Sequence, residues 1–334
     1  MQFSLVEIPG LSSSGAHFVG SVLSAHGSVI CIPANAENLV EYQPDGSVRT
    51  VGSVSSQLAK WEGGVLFSNG TVVATQYQAN GFLTLTPTFV VDSLPGVAGV
   101  QFEGAVVTLS GTMVSAGLTG SGFATGQLGA SAQFFPIDAG PTTSNYFSGA
   151  VLLGDGASVL LVPRGANASW RVNASGASSR AAEVTGHSGG LLLENGDPLL
   201  IPTLDGRPFV RLLADGGVVE SASTRGAFVS GAWSTNGFGY AIQTDGREGQ
   251  YAIIDRDGGV TIQLLSQLPV RLPDGGVDLA ASHIRSTTHY GLTALADGRL
   301  VSCPYQSPHL LVLTPANRRT LPLSVMTSPW LNKL

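Results

Sequence analysis

The sequence predicts an all-β chain folded as a seven-bladed β-propeller of four-stranded antiparallel blades, with the ring closed by the N-terminal strand. Three observations predict it. A glycine-centred motif recurs seven times, a turn-forming glycine follows each copy at a nearly fixed distance, and short apolar runs fill the intervals with no helix-period stretch among them.

The motif is a bulky residue, a spacer, glycine, a small residue and then aliphatic residues. It opens at Phe18, Trp61, Phe102, Phe147, His187, Val229 and His289, which set the expected blade starts. Its glycines are Gly20, Gly63, Gly104, Gly149, Gly189, Gly231 and Gly291, spaced by 43, 41, 45, 40, 42 and 60 residues, so an insertion precedes the last copy. The second glycines are Gly27, Gly70, Gly111, Gly156, Gly196, Gly237 and Gly298. They follow by seven residues in every copy except the sixth, where the interval is six. Asn-Gly and Asp-Gly pairs between apolar runs are strong hairpin signals and point to type I′ turns.

Each copy therefore begins with a hairpin. A buried first strand such as Val151-Leu152-Leu153 leads into a second such as Val159-Leu160-Leu161-Val162. These runs are apolar at consecutive positions, as in strands covered on both faces. A third strand follows (Leu39–Tyr42, Phe82–Leu85, Tyr251–Ile254), then a turn and a short fourth strand such as Val48–Val51. Four strands in about 42 residues, seven times over, is propeller arithmetic.

Phe3–Ile8 precedes Gly20 at the spacing of a fourth strand and is expected to complete the last blade. The propeller then spans residues 1–323, with an inserted loop or hairpin at about 266–282 and an apolar tail at 324–334. In that tail Trp330, Leu331 and Leu334 are candidates for docking on a partner.

Composition narrows the function. Charged residues make up 11% of the chain, with a formal net charge of −6 and only two lysines, Lys60 and Lys333. That argues against nucleic acid as a partner, since no basic run exists to displace counterions. The 43% hydrophobic content argues against disorder. No run of about 18 apolar residues is present, so no membrane insertion is expected from a helix, and the 42-residue period argues against a transmembrane barrel. The N-terminus lacks the pattern of a secretory signal. Two cysteines, Cys31 and Cys303, lie on equivalent strands of the first and last repeats. Counting from Pro33 and Pro304 puts them on opposite strand faces, so they read as buried apolar thiols.

Catalytic motifs are few. Gly186-His187-Ser188-Gly189-Gly190 matches Gly-x-Ser-x-Gly in letters, but the repeat places a strand where a nucleophile elbow needs a helix. Gly120–Gly126 has the wrong spacing for a dinucleotide loop. Asp255-Arg256-Asp257 lacks the later ligands of a calcium loop and falls at a repeat turn. The six histidines show no metal-ligand spacing, and no metal or cofactor is expected. The bulky first positions Phe18, Trp61, Phe102, Phe147, His187 and His289 have two readings. They are an aromatic and imidazole platform for a small ligand at the channel mouth, or packing between adjacent blades, which the buried area of aromatic residues favours.

The phrases from Phe18 to Asn35 and from Gly149 to Asn167 resemble kelch-type propeller repeats of tailed-phage and prophage virion proteins. The ending from Leu321 to Leu334 is similar to the Ser-Pro-aromatic-Leu-Asn ending of such proteins. The resemblance implies a non-enzymatic virion component attached to tail or capsid, assembled in the bacterial cytoplasm. Its implied partners are other virion proteins and host-surface glycan. Two alternatives stand beside it. One is a bacterial scaffold. The other is a lyase- or lactonase-like propeller enzyme acting at the channel mouth, for which the first strands offer His187, His289, Glu62 and Glu103 as acid–base candidates.

Overall fold

The computed structural model describes residues 1–12, 15–140, 145–204, 206–224, 226–243, 249–265, 269–278 and 289–327, with Ala222 and Val229 described by backbone alone. It is a seven-bladed propeller. Six sheets have four strands in sequence order, with first strands Phe18–Leu23, Trp61–Leu66, Phe102–Val107, Phe147–Leu152, His187–Leu192 and Phe228–Trp233. First strands of neighbouring blades pack side by side around the axis.

The seventh blade closes the ring as expected. Its own strands are His289–Ala294, Leu300–Pro304 and His309–Thr314, and Gln2–Glu7 supplies the fourth, paired antiparallel from Gln2 with Thr314 to Glu7 with His309. Phe3 and Leu5 of this strand are buried, and Phe3 packs edge-on against Tyr251 of blade six. The insertion is a hairpin. Val270–Arg271 pairs parallel with the N-terminal strand, and Val277–Asp278 pairs with Val270–Arg271, so the seventh sheet has six strands.

The hairpin turns differ from the type I′ geometry. In blade two, Phe67 N–H donates to Thr71 O at 2.9 Å and Gly70 N–H donates to Phe67 O at 2.9 Å, while Gly70 alone has positive φ, at 85°. This is a type I turn closed by a left-handed glycine. Asn69 acts through its side chain, accepting from Thr71 N–H at 3.0 Å, which explains Asn and Asp before the glycine without a left-handed backbone there.

The motif glycine sits in a β-bulge near the axis. Registers shift between Phe18 and Ser21, Trp61 and Gly64, Phe102 and Ala105, Phe147 and Ala150, and His187 and Gly190. Gly20 has φ +90°, and a Cβ there would lie 2.7 Å from Gly63 Cα; one on Gly104 would lie 2.9 Å from Gly149 Cα. Backbone conformation and close approach both demand glycine. Gly20→Ala is therefore expected to cost about 3 kcal/mol, measured as a shift in urea midpoint at constant slope. Unchanged stability would show that the inner ring has room to relax.

Blade six corrects the sequence register. Its strand begins at Phe228, one residue before the expected start, and Gly231 occupies the position of Gly64 and Gly190. A Cβ on any of these three meets a second-strand carbonyl, of Tyr240 at 2.9 Å, Val73 at 2.8 Å or Leu199 at 2.8 Å. The true counterpart of the motif glycine is Ser230, which is not among the positive-φ residues. Counted from Ser230, the interval to Gly237 is seven, as in every other blade.

The cysteines also need correction. Cys31 and Cys303 are joined by a disulfide, with Cα atoms 5.7 Å apart. The opposite-face geometry is what allows it. Blades one and seven are neighbours in the closed ring, so one cysteine must face forward and the other back.

The C-terminal segment docks on its own blades at the hairpin-turn face. Ala316 O accepts from Asn236 Nδ2 at 3.1 Å, Arg319 N–H donates to Thr235 Oγ1 at 3.0 Å, and Leu321 N–H donates to Ala296 O at 2.7 Å. A short helix, Leu323–Met326, follows; Leu323 lies against Gly27, and Met326 is buried in the core cluster that spans blades six, seven and one. The segment therefore crosses turns of blades six, seven and one. Trp330, Leu331 and Leu334 lie outside the described residues.

Candidate functional site at the channel mouth

The six bulky first positions are all buried, from Phe102 and Phe147 at 0% to Trp61 at 7% exposure. None lines the axial cavity. The aromatic ones pack between blades: Phe102 lies 5.7 Å, centroid to centroid, from Phe82 of blade two. The same contact recurs at 5.5 Å between Phe228 of blade six and Phe209 of blade five.

Where the ring carries an N–H, it serves the blade. Trp61 Nε1 donates to Gly81 O at 2.9 Å, His187 Nε2 to Pro208 O at 3.2 Å and His289 Nε2 to His309 O at 2.9 Å. Each acceptor is the first residue of the third strand in the same blade. These contacts fit packing rather than a ligand platform.

Burial pushes both imidazoles down to about 4 from the usual 6.5. Each histidine is then neutral in the fold, and the unfolded chain takes up protons first as pH falls through 6.5. The associated stability is complete above pH 6.5 and is lost as pH falls towards 4, by roughly 3 kcal/mol per histidine. Melting curves between pH 7 and pH 4 are expected to show this loss, and His289→Gln is expected to flatten it. A variant that keeps the wild-type slope would assign the loss to other groups.

The channel is lined one to three residues further along. The axial cavity holds only about 60 Å³, room for about two waters, and the motif glycines form its wall with Ser21, Ser148, Ser188, Ser230 and Leu292. Ser148 and Ser188 hydroxyls are 2.6 Å apart, which absorbs the serine of the Gly-x-Ser-x-Gly match. Asp255 likewise caps its own turn, its Oδ1 accepting from Gly259 N–H at 2.7 Å.

At one mouth of this cavity the side chains change character. The second positions of first strands present Glu62, Glu103 and Tyr290, and the ends of second strands add Tyr77, Arg164 and Tyr305. The residue after a second strand is held by backbone bonds to residues preceding first strands: Tyr77 N–H to Lys60 O at 2.9 Å and Arg164 N–H to Tyr146 O at 3.1 Å within a blade, and Tyr305 O from His17 N–H of the next blade at 2.9 Å. The strand ends thus aim both sets at the same rim.

Arg164 Nη1 lies 3.1 Å from Glu103 Oε2, joining blade four to blade three. The rings of Tyr290 and Tyr305 lie 5.3 Å apart. Glu62 is recessed beside this pair. Burial first, and then the negative Glu103, hold its carboxyl well above the usual range, with Arg164 offsetting part of the effect. Burial, and then the same carboxylates, raise the phenols of Tyr77 and Tyr290, so both remain O–H donors through neutral pH. The mouth thus combines a carboxyl whose proton affinity is raised by burial, a carboxylate paired with a guanidinium, and two phenolic donors. A carboxyl of raised proton affinity beside an ion-paired carboxylate is the equipment of acid–base catalysis.

No protein-family model and no curated protein matches the chain. Solved structures do. A streptogramin B lyase is similar at TM-score 0.74 and 16% identity, over 94% of this chain and 98% of that one. Virginiamycin B lyase from Staphylococcus aureus matches at TM-score 0.75 and 13% identity, over 94% and 99%. A gluconolactonase from Xanthomonas campestris matches at TM-score 0.52 and 11% identity, over 90% and 86%.

This chain shares their fold. The neighbours overturn the expectation of a non-enzymatic phage virion protein, since they are named enzymes, of lyase and lactonase type. Of the resemblance to kelch-type virion propellers, only the propeller stands.

Glu62 and Glu103 are visible in the sequence as first-strand residues. Arg164, Tyr77, Tyr290 and Tyr305 escape sequence reasoning. The signal that finds them is positional: the residue before each motif glycine, and the residue following each second strand. Among the described residues, no three His, Cys, Asp or Glu side chains gather as a metal ion would require.

Proposed function

We propose that this protein is an enzyme that opens a cyclic ester at the glutamate-bearing mouth of its channel, by elimination. The observation that carries the reading is the cluster of Glu62, Glu103, Arg164 and Tyr290, in which a recessed carboxyl of raised proton affinity sits beside a carboxylate ion-paired at 3.1 Å. Glu103 accepts a proton from the carbon adjacent to the ester-bearing carbon. The C–O bond then breaks as the C=C bond forms, Glu62 donates its proton to the departing carboxylate oxygen, and Tyr290 donates a hydrogen bond to the same group. The narrow cavity beneath keeps the substrate at the rim. The lyases, similar over nearly their whole length, support elimination; a second reading, hydrolysis of a lactone by the same pair, takes support from the gluconolactonase likeness.

The test is mass spectrometry of a panel of cyclic depsipeptides and sugar lactones incubated with the protein. Elimination opens the ring with no change in mass, and hydrolysis adds one water. Rings that stay closed throughout, or opening that persists in Glu103→Gln, would defeat the proposal.

A further inference from the structure

A hollow of about 680 Å³ opens between blades two and three, and Tyr77 belongs both to its lining and to the glutamate mouth. Its size falls in the range of small-molecule sites. No lining residue is charged. Its polar groups are the carboxamides of Gln78, Asn80 and Gln101, the Thr119 hydroxyl and the Tyr77 phenol, interleaved with small apolar residues.

One wall is fixed in place. Gln76, 5% exposed, donates through Nε2 to Val97 O at 2.8 Å and Val100 O at 3.0 Å, and its Oε1 accepts from Val97 N–H at 3.0 Å. Gln101 N–H donates to Thr119 Oγ1 at 2.9 Å. A single buried amide therefore holds the connection between blades two and three as a rigid floor, so a ligand meets a pre-formed surface. Gly99 faces open space, with φ +73°.

We infer that this hollow is a subsite for a neutral, amide-bearing arm of the substrate, of about dipeptide size. The inference rests on the mouth being the reaction site, and it names what extends from the reacting ester. A secondary amide offers one donor and one acceptor, and each carboxamide side chain offers the same pair. A charged arm would find no counter-ion among the lining residues. Tyr77 sits at the junction, where the arm leaves the mouth.

The experiment is a titration of the ¹⁵N-labelled full chain with N-acetyl-alanyl-alanine methylamide, with maltose as the comparison. The dipeptide is expected to shift amide signals of Gln76–Asn80 and Gly96–Gln101 at millimolar concentration, and maltose is not. Thr119→Trp and Gln78→Trp, both at exposed positions, fill the hollow and are expected to weaken the dipeptide at least tenfold. Glu103→Gln is expected to bind it as wild type does. Absence of shifts, equal shifts in the filled variants, or matching shifts from maltose would overturn the subsite. If the dipeptide binds as described while no cyclic ester is opened, the hollow stands as a dipeptide-binding site, and the catalytic reading fails together with the assignment to a substrate arm. If esters are opened but the filled variants bind the dipeptide normally, the reverse holds.

Discussion

Replacing Cys31 or Cys303 with serine is expected to lower stability by about 4 kcal/mol, or roughly 6 °C in melting temperature for a chain of this length. The disulfide joins residues 272 apart in sequence and links the first blade to the last. In the unfolded chain it closes nearly the whole molecule into one loop, so removing it restores a large conformational entropy to that state. In the native state the ring retains its second closure, the six-residue pairing of Gln2–Glu7 with His309–Thr314. The variants should therefore still fold, with wild-type strand content by circular dichroism. Thermal melts with and without reductant provide the check. Reduced wild type should match both single serine variants, and reductant should leave those variants unmoved. Coincident melts for oxidised and reduced wild type would show that strand pairing alone closes the ring.

Glu62→Gln is expected to abolish most turnover while making the fold more stable. A positioned proton donor contributes typically 10²- to 10⁴-fold, and glutamine cannot supply a proton. Stability moves the other way. The folded protein holds the Glu62 proton more tightly than the unfolded chain does, so stability is complete below the ordinary glutamate range. It falls as pH rises through the elevated folded value. Glutamine has nothing to ionise, so at pH 8 the variant should be more stable than the wild type, with little gain at pH 4. Turnover and melts as a function of pH measure the two effects on one protein. A variant equal to wild type in both would remove Glu62 from the site.

The propeller is legible because its turns repeat. A left-handed glycine closes each first hairpin seven residues after the motif position, and neither residue tolerates replacement cheaply, so the period survives in the letters. The sixth copy misleads by one residue because Gly231, required for approach to Tyr240 O, stands beside Ser230, which needs no glycine. The turn type misleads because Asn69 signals its role through its side chain, which a left-handed reading also fits.

The mouth is half legible. Glu62 and Glu103 stand at fixed positions in first strands, but Arg164 reaches Glu103 across 61 residues and from the next blade. The Cys31–Cys303 bond spans the closure itself. Such pairings depend on where the ring brings its ends, which period and composition do not encode. At the bulky first positions the conspicuous aromatic and histidine letters serve burial, as the favoured packing reading has it, and the plainer residues beside them face the axis.

The most direct measurement is a carboxyl titration by ¹³C NMR, with Glu62 and Glu103 assigned through their glutamine variants. The account predicts that Glu62 retains its proton well above the ordinary glutamate range and returns towards that range in Glu103→Gln, where its negative neighbour is lost. A Glu62 carboxyl that ionises with the surface glutamates, whether or not Glu103 is present, would contradict an acid–base pair at the mouth.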